Sequence, residues 1–311
     1  MRSDVAHSCS VVILTLNAER YLPGLFAAIS ALPSAPARVL FIDSASSDAS
    51  AELIRAAGYS LHSIKRSDFG HGSTRNLGLE LCADSEFVVF LTQDACPQGN
   101  DWLENLLVPF SDPQVGLVYG RQLPRPESTQ AERFAREFNY PTTEDRTSLA
   151  DLPSRGIKAV FCSNSFSAYR RQALIDAGGF PETLPMGEDM AAALRLLQSG
   201  SVRVYQPNAL AVHSHAYSPI QELRRYFDIG TLMAMDVELR QVRLAASGEG
   251  MRFLRAELLA SLRPLQPLAL LDVLGRTFCK YLGFALGQRY RRLPVSVRQR
   301  LSMHAYFWSQ P

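Results

Sequence analysis

The chain has 311 residues, of which 47% are hydrophobic and 20% are charged, and its formal net charge is +2. This is ordinary globular composition, and a core of that size needs no disulfides. Five cysteines without a C-x-x-C pair argue against a disulfide framework and a zinc site, and we expect them to be reduced in a cytosolic protein. Residues 1–10 lack the apolar segment of a signal peptide, and no run of 18 apolar residues predicts a transmembrane helix.

The net charge conceals an asymmetry along the chain. Residues 219–311 contain 14 Lys and Arg against 7 Asp and Glu, whereas the remainder contains 18 against 23. Residues 276–300 include seven basic residues and no acidic one. Basic segments mixed with apolar ones attract anionic lipid, nucleic acid or an acidic partner, and a solvated helix face is the alternative interpretation.

Strand-like and helix-like segments alternate over residues 10–120, which is the pattern of βαβ units and a parallel sheet. Strands are predicted at residues 10–16, 38–42, 59–64, 86–91 and 115–119. Helices are predicted between them at residues 18–31, 49–57, 73–82 and 101–110.

The pattern is less regular beyond residue 120. Residues 121–155 are polar and contain prolines, which predicts a long loop with one short helix near 131–139. The next predicted elements are a strand at 159–161, a helix at 172–177, an amphipathic helix at 188–198 and a strand at 202–205. From residue 220 the pattern is helical to the C-terminus, with breaks predicted at Gly248, Pro264, Pro267, Gly283, Gly287 and Pro294.

Polar side chains follow three of the predicted strands. Asn17 and Asp43 come directly after the first and second strands, and Asp94 follows the fourth strand within three residues. In parallel sheets ligands bind beyond the carboxyl ends of the strands, so we expect these side chains to converge. Glu188 and Asp189 add two carboxylates at the start of a helix. This arrangement suits a nucleotide, a divalent metal and a general base in one cleft.

Five short motifs occur in order along residues 8–218. They are residues 10–17 (SVVILTLN), 41–48 (FIDSASSD), 75–78 (RNLG), 91–94 (LTQD) and 187–189 (GED). In this order and spacing the chain resembles inverting family 2 glycosyltransferases of the GT-A fold. A narrower resemblance, to bacterial rhamnosyltransferases that use dTDP-rhamnose, is carried by residues 69–76, 92–95, 213–217 and 225–230.

The resemblance implies a fold and a division of labour among residues. It predicts a GT-A-like catalytic domain over residues 1–218, with a mixed, mostly parallel sheet flanked by helices, and a helical region over 219–311. It assigns the general base to Asp189 and the donor nucleotide to Thr15, Asn17, Asp43, Arg75 and Gln93. The sugar and acceptor side is assigned to Glu188, His71 and Asn164, and a metal to Asp94, His213 and His215.

Elementary chemistry supports several of these roles. A carboxylate at a strand end, Asp43, can accept the N3–H of a pyrimidine base, although a turn aspartate would look the same. Arg75, near the start of a helix, could neutralise a diphosphate or hold Asp43 and Asp94, and a surface arginine is the alternative. Asp189 can take a proton from an acceptor hydroxyl, whereas two acids at a helix N-terminus are also favoured by the helix dipole.

The metal site departs from the family pattern. The usual D-x-D motif is replaced by Thr92-Gln93-Asp94, so a hydroxyl stands where the first carboxylate is expected. Mg²⁺ or Mn²⁺ on oxygen ligands would stabilise a diphosphate leaving group, but a weaker metal site or a metal-independent reaction remains open. His213 and His215 form an H-x-H pair, which on a strand-like segment points both side chains the same way.

The resulting hypothesis is transfer of a deoxysugar, L-rhamnose, from dTDP-rhamnose to a hydroxyl of a growing, lipid-linked cell-surface glycan such as O-antigen. The alternatives are a UDP-linked donor and a catalytically weak membrane-associated scaffold. A nucleotidyltransferase would need a glycine-rich loop, and residues 14–18 (LTLNA) do not form one. The G-x-G-x-x-G and P-loop patterns are also absent.

The resemblance and the charge pattern together predict a location. The enzyme is expected in the cytoplasm, peripheral to the inner face of a bacterial membrane. Apolar residues 281–286 are followed at once by Arg289, Arg291 and Arg292, with Phe307 and Trp308 near the end. These features predict contact with an anionic membrane, and a helical homodimer interface explains them equally well. No nucleic-acid partner is expected.

Overall fold

The computed structural model describes residues 8–245, 248, 252–253, 255–257, 259 and 267–309. The strands are β1 Cys9–Thr15, β2 Arg38–Asp43, β3 Ser60–Ser63, β4 Phe87–Thr92, β5 Cys96–Gln98, β6 Val115–Leu123, β7 Asp145–Thr147, β8 Phe166–Arg170 and β9 Val202–Val212. The predicted break at Pro264 and the first seven residues of the polar N-terminus lie outside the described residues.

Helices flank the sheet and form the C-terminal part of the chain. They are α1 Leu22–Ser30, α2 Ser50–Ala56, α3 His71–Leu81, α4 Trp102–Leu107, α5 Gln130–Asn139, α6 Leu152–Arg155, α7 Ile157–Val160, α8 Arg171–Asp176, α9 Glu188–Gln198, α10 Pro219–Met235, α11 Val237–Ala245, α12 Pro267–Gln288 and α13 Val295–Leu301. A short 3₁₀ helix, Ala305–Ser309, ends the described chain. All five cysteines are free.

The strands form one mixed sheet in the order β3-β2-β1-β4-β8-β6-β9-β5, with β7 paired to β9. Strands β3, β2, β1 and β4 are parallel, whereas β8 runs antiparallel to both β4 and β6. The register places Thr15 beside Asp43 and Leu14 beside Thr92. The carboxyl ends of three strands therefore meet at one edge, and the α/β fold class is confirmed.

Both faces of the sheet are buried. Along β1, Val12 and Leu14 belong to the apolar core on one face, while Val11 and Ile13 belong to the core on the other. Alternation of side chains along a strand divides consecutive residues between two faces, and helices cover each face of a parallel sheet. The edge at which the strands end is thus held by packing from both sides.

Sequence pattern failed at the centre of the chain. The strand predicted at residues 159–161 is wrong, because Ile157–Val160 is a short helix. An apolar run of this length does not distinguish a strand from a buried helix. The strand that joins the two halves of the sheet is instead Phe166–Arg170, which Ser167 and Arg170 make less apolar. The short strands β5 and β7 were not predicted either.

The C-terminal helices α10 and α12 pack closely against each other. A Cβ on Gly283 would lie 2.1 Å from the carbonyl oxygen of Leu223, and one on Gly287 would lie 2.1 Å from that of Phe227. Both glycines lie within α12, so the predicted breaks at Gly283 and Gly287 are wrong. These glycines remain within the helix and allow its backbone to approach α10. No helix in the described part of the chain is long and apolar enough to cross a membrane.

Candidate active site

A cavity of about 910 Å³ opens at the carboxyl edge of the sheet. Asp94 and Asp189 lie on its sheet side, and Arg225, Lys280 and His304 lie on the side formed by the C-terminal region. The helical region predicted over 219–311 therefore forms part of the wall. Its status as a separate domain stays a prediction.

The strand-end carboxylate Asp43 is buried and already hydrogen-bonded. Oδ1 accepts from the Thr15 hydroxyl at 3.2 Å and from the Ser46 hydroxyl at 2.5 Å, and Oδ2 accepts the Ser46 backbone N–H at 2.9 Å. Asp43 thus orders the turn after β2. A carboxylate oxygen accepts more than one donor, so Oδ2 retains capacity for a ligand N–H.

Two residues assigned to the nucleotide hold the loops that would contact it. Asn17 has φ +51°, a left-handed conformation that asparagine tolerates better than most residues, and its Oδ1 accepts the Ser47 N–H at 2.9 Å. Gln93 accepts the Leu16 N–H at 2.7 Å and donates to the Leu16 carbonyl at 3.0 Å. The side-chain amide of Gln93 therefore ties the loop after β4 to the loop after β1.

Asp94, His213 and His215 come together as the sequence predicts. The two Nε2 atoms lie 3.5 Å and 3.4 Å from the Asp94 oxygens, and the three ligand atoms are all within 4.8 Å of one another. Strand β9 ends at Val212, and the His213 N–H still donates to Leu123 on β6. Pairing with β6 thus positions the first histidine, while His215 stacks on Tyr217 with ring centroids 5.3 Å apart.

The hydrogen bond behind His213 fixes its tautomer. Nδ1 lies 2.9 Å from the amide oxygen of Gln122, which also accepts from Arg136. The imidazole proton is therefore on Nδ1, and the lone pair of Nε2 faces the Asp94 carboxylate. Two electron-rich atoms 3.5 Å apart form a favourable pair when a cation lies between them. This donor set, with an amide oxygen orienting a ligating histidine, fits a divalent metal.

The surroundings of Asp94 and Thr92 agree with that assignment. Burial opposes ionisation of Asp94, but positive charge at the His213 and His215 imidazoles, which a bound cation would supply in place of protons, lowers the pKa of Asp94 well below its ordinary value. Thr92 Oγ1 is buried beside Asp94, whose pKa its hydroxyl also helps to lower, and it has no other hydrogen-bond partner among the described residues. The space beside Asp94 therefore suits a further polar ligand atom.

Glu188 and Asp189 form the first turn of α9, beside the helix α10. Asp189 accepts the N–H of Met190 at 2.8 Å and of Asn164 at 3.3 Å. Burial, and then the charge of Glu188, raise the pKa of Asp189 to about 7. A carboxyl group with a pKa near neutrality is well matched to accepting a proton at physiological pH.

Arg75 contacts Glu188 rather than Asp43 or Asp94. Its Nη1 lies 2.9 Å from Glu188 Oε1 and donates to the His71 carbonyl at 2.9 Å, and both charged side chains are less than a tenth exposed. Burial raises the pKa of Glu188, but the charge of Arg75 opposes burial, and the net shift of the Glu188 pKa is downward. An ionised Glu188 beside Asp189 in turn keeps the second carboxyl group easy to protonate.

Asn164 donates hydrogen bonds to both Glu188 and Asp189. Its Oδ1 accepts from the hydroxyls of Ser167 at 2.9 Å and Tyr169 at 2.7 Å, so its amide nitrogen faces Glu188 Oε1 at 3.3 Å. Its backbone N–H donates to Asp189. Asn164 is buried and committed to protein partners, which makes it a positioning residue for this acidic pair.

The chain is similar to known proteins over most of its length. A family model described as glycosyl transferase family 2 matches residues 10–178. The chain belongs to glycosyl transferase family 2. It is an enzyme that transfers sugar, as the motifs at the strand ends and at Glu188–Asp189 indicated.

Two curated relatives of this glycosyltransferase cover most of its length. The O-antigen chain rhamnosyltransferase RfbN of Salmonella typhimurium is 37% identical over 301 residues, which is 96% of both chains. The O-antigen chain rhamnosyltransferase WbaN of Salmonella anatum is 39% identical over 274 residues, covering 88% of this chain and 87% of the relative.

Solved structures share the fold of the glycosyltransferase. The mannosyltransferase PcManGT from Pyrobaculum calidifontis, in complex with GDP-Man and Mn²⁺, gives a TM-score of 0.57 at 20% identity and covers 96% of this chain and 84% of that chain. Residues 1–349 of S. aureus TarS give 0.55 at 16% identity, with coverage of 98% and 81%. At these identities the likeness concerns the fold alone.

Tyr217, Arg225 and His304 line the cavity of the glycosyltransferase, and the sequence assigned no role to them. Arg225 lies over the Tyr217 ring, 5.4 Å from its centroid, and donates to the Tyr217 hydroxyl at 3.4 Å. It forms no ion pair within the described chain. Residues 213–217 and 225–230 carried the narrower resemblance, so a signal for Tyr217 and Arg225 was present. His304 had none, because it reaches His71 across 233 residues.

Proposed function

We propose that this glycosyltransferase transfers L-rhamnose from dTDP-rhamnose to a hydroxyl of a growing, lipid-linked O-antigen glycan, with inversion at the anomeric carbon. The relatives named as O-antigen chain rhamnosyltransferases support the sugar and the glycan. The observation that carries the reaction type is Asp189, a carboxyl group with pKa about 7, in the cavity that also contains the Asp94 cluster.

Asp189 acts as the general base of the transfer. It accepts the proton of the acceptor hydroxyl while that oxygen attacks the anomeric carbon from the face opposite the leaving group. The new C–O bond forms as the bond from that carbon to the phosphate oxygen breaks, and the nucleoside diphosphate leaves with the electron pair. Glu188, Arg75 and Asn164 hold the base in place, and a positioned base contributes about 10²–10⁴-fold to the rate.

The leaving diphosphate requires positive charge. Asp94, His213 and His215 would hold a divalent cation, Mg²⁺ or Mn²⁺, which would supply charge neutralisation at the phosphates. Arg225 serves the same end of the cavity. Its guanidinium donates only to Tyr217 among the described residues, so its remaining N–H groups can bind phosphate oxygens.

The nucleotide base binds at the turn after β2. Asp43 accepts the N3–H of thymine through Oδ2, and Thr15 and the Asn17 loop form the surrounding pocket. A UDP-linked sugar would present the same N3–H group, so it is the alternative donor that this end of the site accommodates.

The function is tested by measuring transfer with dTDP-rhamnose, a UDP-linked hexose and GDP-mannose, using lipid-linked O-antigen intermediates as acceptor. We expect turnover with dTDP-rhamnose, loss of activity after chelation, and recovery with Mg²⁺ or Mn²⁺. Asp189→Asn controls for contaminating transferases. Turnover with the UDP-linked hexose alone would replace the proposed donor, and turnover unaffected by chelation would remove the metal.

A lipid-linked acceptor requires access to a membrane, and α12 provides a suitable surface. Leu274, Phe278 and Tyr281 are exposed at i, i+4 and i+7, which places them on one helix face, and Phe278 is 64% exposed. Arg289 and Arg291 follow at its end and are exposed. We propose that this face lies on the anionic inner leaflet of a bacterial membrane, with the enzyme peripheral in the cytoplasm.

Vesicle sedimentation tests this surface without removing α12, which the fold needs. Full-length protein should sediment with anionic vesicles at low salt and be released at high salt, since each Lys or Arg near such a surface contributes about 1 kcal/mol. Phe278→Glu should reduce binding, whereas Val108→Glu, at an exposed apolar residue outside α12, should not. A Phe278-dependent dimer that ignores lipid would assign the face to a second copy of the chain.

A further inference from the structure

The C-terminal segment, residues 302–309, is anchored to the buried interior of the molecule. The Ser302 hydroxyl donates to Asp228 Oδ1 at 2.6 Å, and the Met303 N–H donates to Asp228 Oδ2 at 2.8 Å. Asp228, on α10, has no exposed surface, and both of its oxygens are engaged by this segment. The segment is therefore fixed against α10 rather than free at the chain end.

This anchor brings two aromatic side chains onto the start of α3 and the loop before it. His304 Nδ1 lies 3.4 Å from His71 Nε2, and the rings meet edge to face with centroids 4.9 Å apart. The Tyr306 ring lies 5.4 Å from that of Phe69. His304 also lines the cavity that contains Asp189. The last described residues of the chain thus contribute a wall of the active site.

The hydrogen bonds determine which atom His304 presents to the cavity. Arg75 Nη1 directs its two hydrogens to Glu188 Oε1 and to the His71 carbonyl, and it lies 3.5 Å from His71 Nδ1. A proton on Nδ1 would point at this cation, so the His71 proton is on Nε2. That proton faces His304 Nδ1, which accepts it. The His304 proton is consequently on Nε2, and this N–H has no hydrogen-bond partner among the described residues.

Burial keeps both rings neutral. It lowers the pKa of His71 below its ordinary value and, together with His71, lowers the pKa of His304 to about 3. The charged groups that act on His304 are Glu188 and Arg225, and their effects oppose each other. At neutral pH the tautomer chain from Arg75 through His71 to His304 is therefore maintained.

We propose that the C-terminal segment completes the active site and that His304 Nε2–H donates a hydrogen bond to a sugar hydroxyl bound in the cavity. The ionised Glu188 on the same wall disfavours a phosphate there and favours a neutral hydroxyl, which can accept from His304. The inference rests on the proposed sugar transfer. The hydroxyl belongs to the donor sugar or to the acceptor glycan, and the kinetics below separate the two.

Isosteric variants distinguish hydrogen bonding from packing. In His304→Gln the side-chain amide reaches the position of Nε2 and can keep the N–H, whereas His304→Asn is too short and His304→Ala has no donor. The matched control is Met303→Ala, at the exposed neighbour that contacts Asp228 through its backbone alone.

We expect kcat/KM to fall about tenfold in His304→Ala and His304→Asn, and less than about threefold in His304→Gln and Met303→Ala, with an unchanged thermal unfolding midpoint. A raised KM for the nucleotide sugar identifies a donor hydroxyl, and a raised KM for the glycan identifies an acceptor hydroxyl. Equal losses in all three His304 variants, or no loss in any, would overturn the proposal. The variants can be compared with whichever sugar the enzyme transfers. A wrong donor assignment therefore does not prevent the test of His304.

Discussion

The two ends of the proposed site, the turn after β2 and the cavity beside α9, are built in different ways. At the nucleotide end, Asp43 is held by two residues that are close to it in the sheet or in the chain. Thr15 ends the neighbouring strand β1, and Ser46 lies in the turn that follows Asp43. At the acceptor end, the Glu188 carboxylate is held by Arg75 and Asn164, and the wall beside it includes His304. The first site depends on neighbouring βα turns, whereas the second gathers segments from the whole chain.

The two ends also differ in how their ionisable groups are treated by the surrounding protein. Burial raises the pKa of Asp189 to about 7 and lowers that of His304 to about 3 at the acceptor end. Asp43 is also buried, but three hydrogen bonds from its own turn and from Thr15 serve its carboxylate. The acceptor end therefore carries groups suited to proton transfer, and the nucleotide end carries groups suited to recognition. Substitutions at the acceptor end should therefore affect turnover, and substitutions at the nucleotide end should affect binding.

The largest expected effect is at the acceptor end. Asp189→Asn should lower kcat by about 10²–10⁴-fold and leave dTDP binding unchanged, because only the proton-transfer step needs this carboxylate. The ionised form is the base, so wild-type kcat should rise with pH through about 7. Any residual activity of the variant should lack that rise. A variant with near wild-type turnover would remove Asp189 as the base and with it the contrast between the two ends.

Arg225 tests the boundary between the two ends. Arg225→Gln should weaken dTDP and UDP binding by roughly 10- to 100-fold, since hydrogen bonds to charged groups contribute about 1.5–3 kcal/mol. Thymidine, which lacks phosphates, should bind the variant as it binds the wild type. Calorimetry with Arg224→Gln, at the exposed neighbouring arginine, gives the matched control. Equal losses for thymidine and dTDP would place the Arg225 effect outside the diphosphate.

The smallest expected effect is at the nucleotide end. Asp43→Ala should cost about 1–3 kcal/mol of binding, because a base N–H loses its acceptor in a buried site. The loss should be the same for thymidine and dTDP, and kcat at saturating donor should change little. Binding of dTDP, UDP and GDP by both proteins is the measurement. Tighter GDP than dTDP binding by the wild type would contradict the assignment of a pyrimidine to Asp43.

Local pattern predicted the strand ends and the helix that begins at Glu188. It was less informative where a residue's partner is remote in sequence. Gln93 was expected to contact the nucleotide, yet both polar atoms of its amide bind the Leu16 backbone. Arg75 was expected to neutralise a diphosphate or to hold Asp43 and Asp94, and it pairs with Glu188. Gly283 and Gly287 read as helix breaks because the sequence does not show the backbone of α10 against them.

The sequence by itself determined the parallel half of the sheet, the carboxylates at its edge, the Asp94, His213 and His215 cluster and the enzyme family. These depend on side-chain alternation and on short motifs, which local sequence encodes. Only the tertiary structure decided that Arg75 serves Glu188, that Arg225 is without an ion pair among the described residues, and that His304 lies beside His71. Each of these depends on how distant segments pack and on which charges that packing removes from water, and no local pattern carries that information.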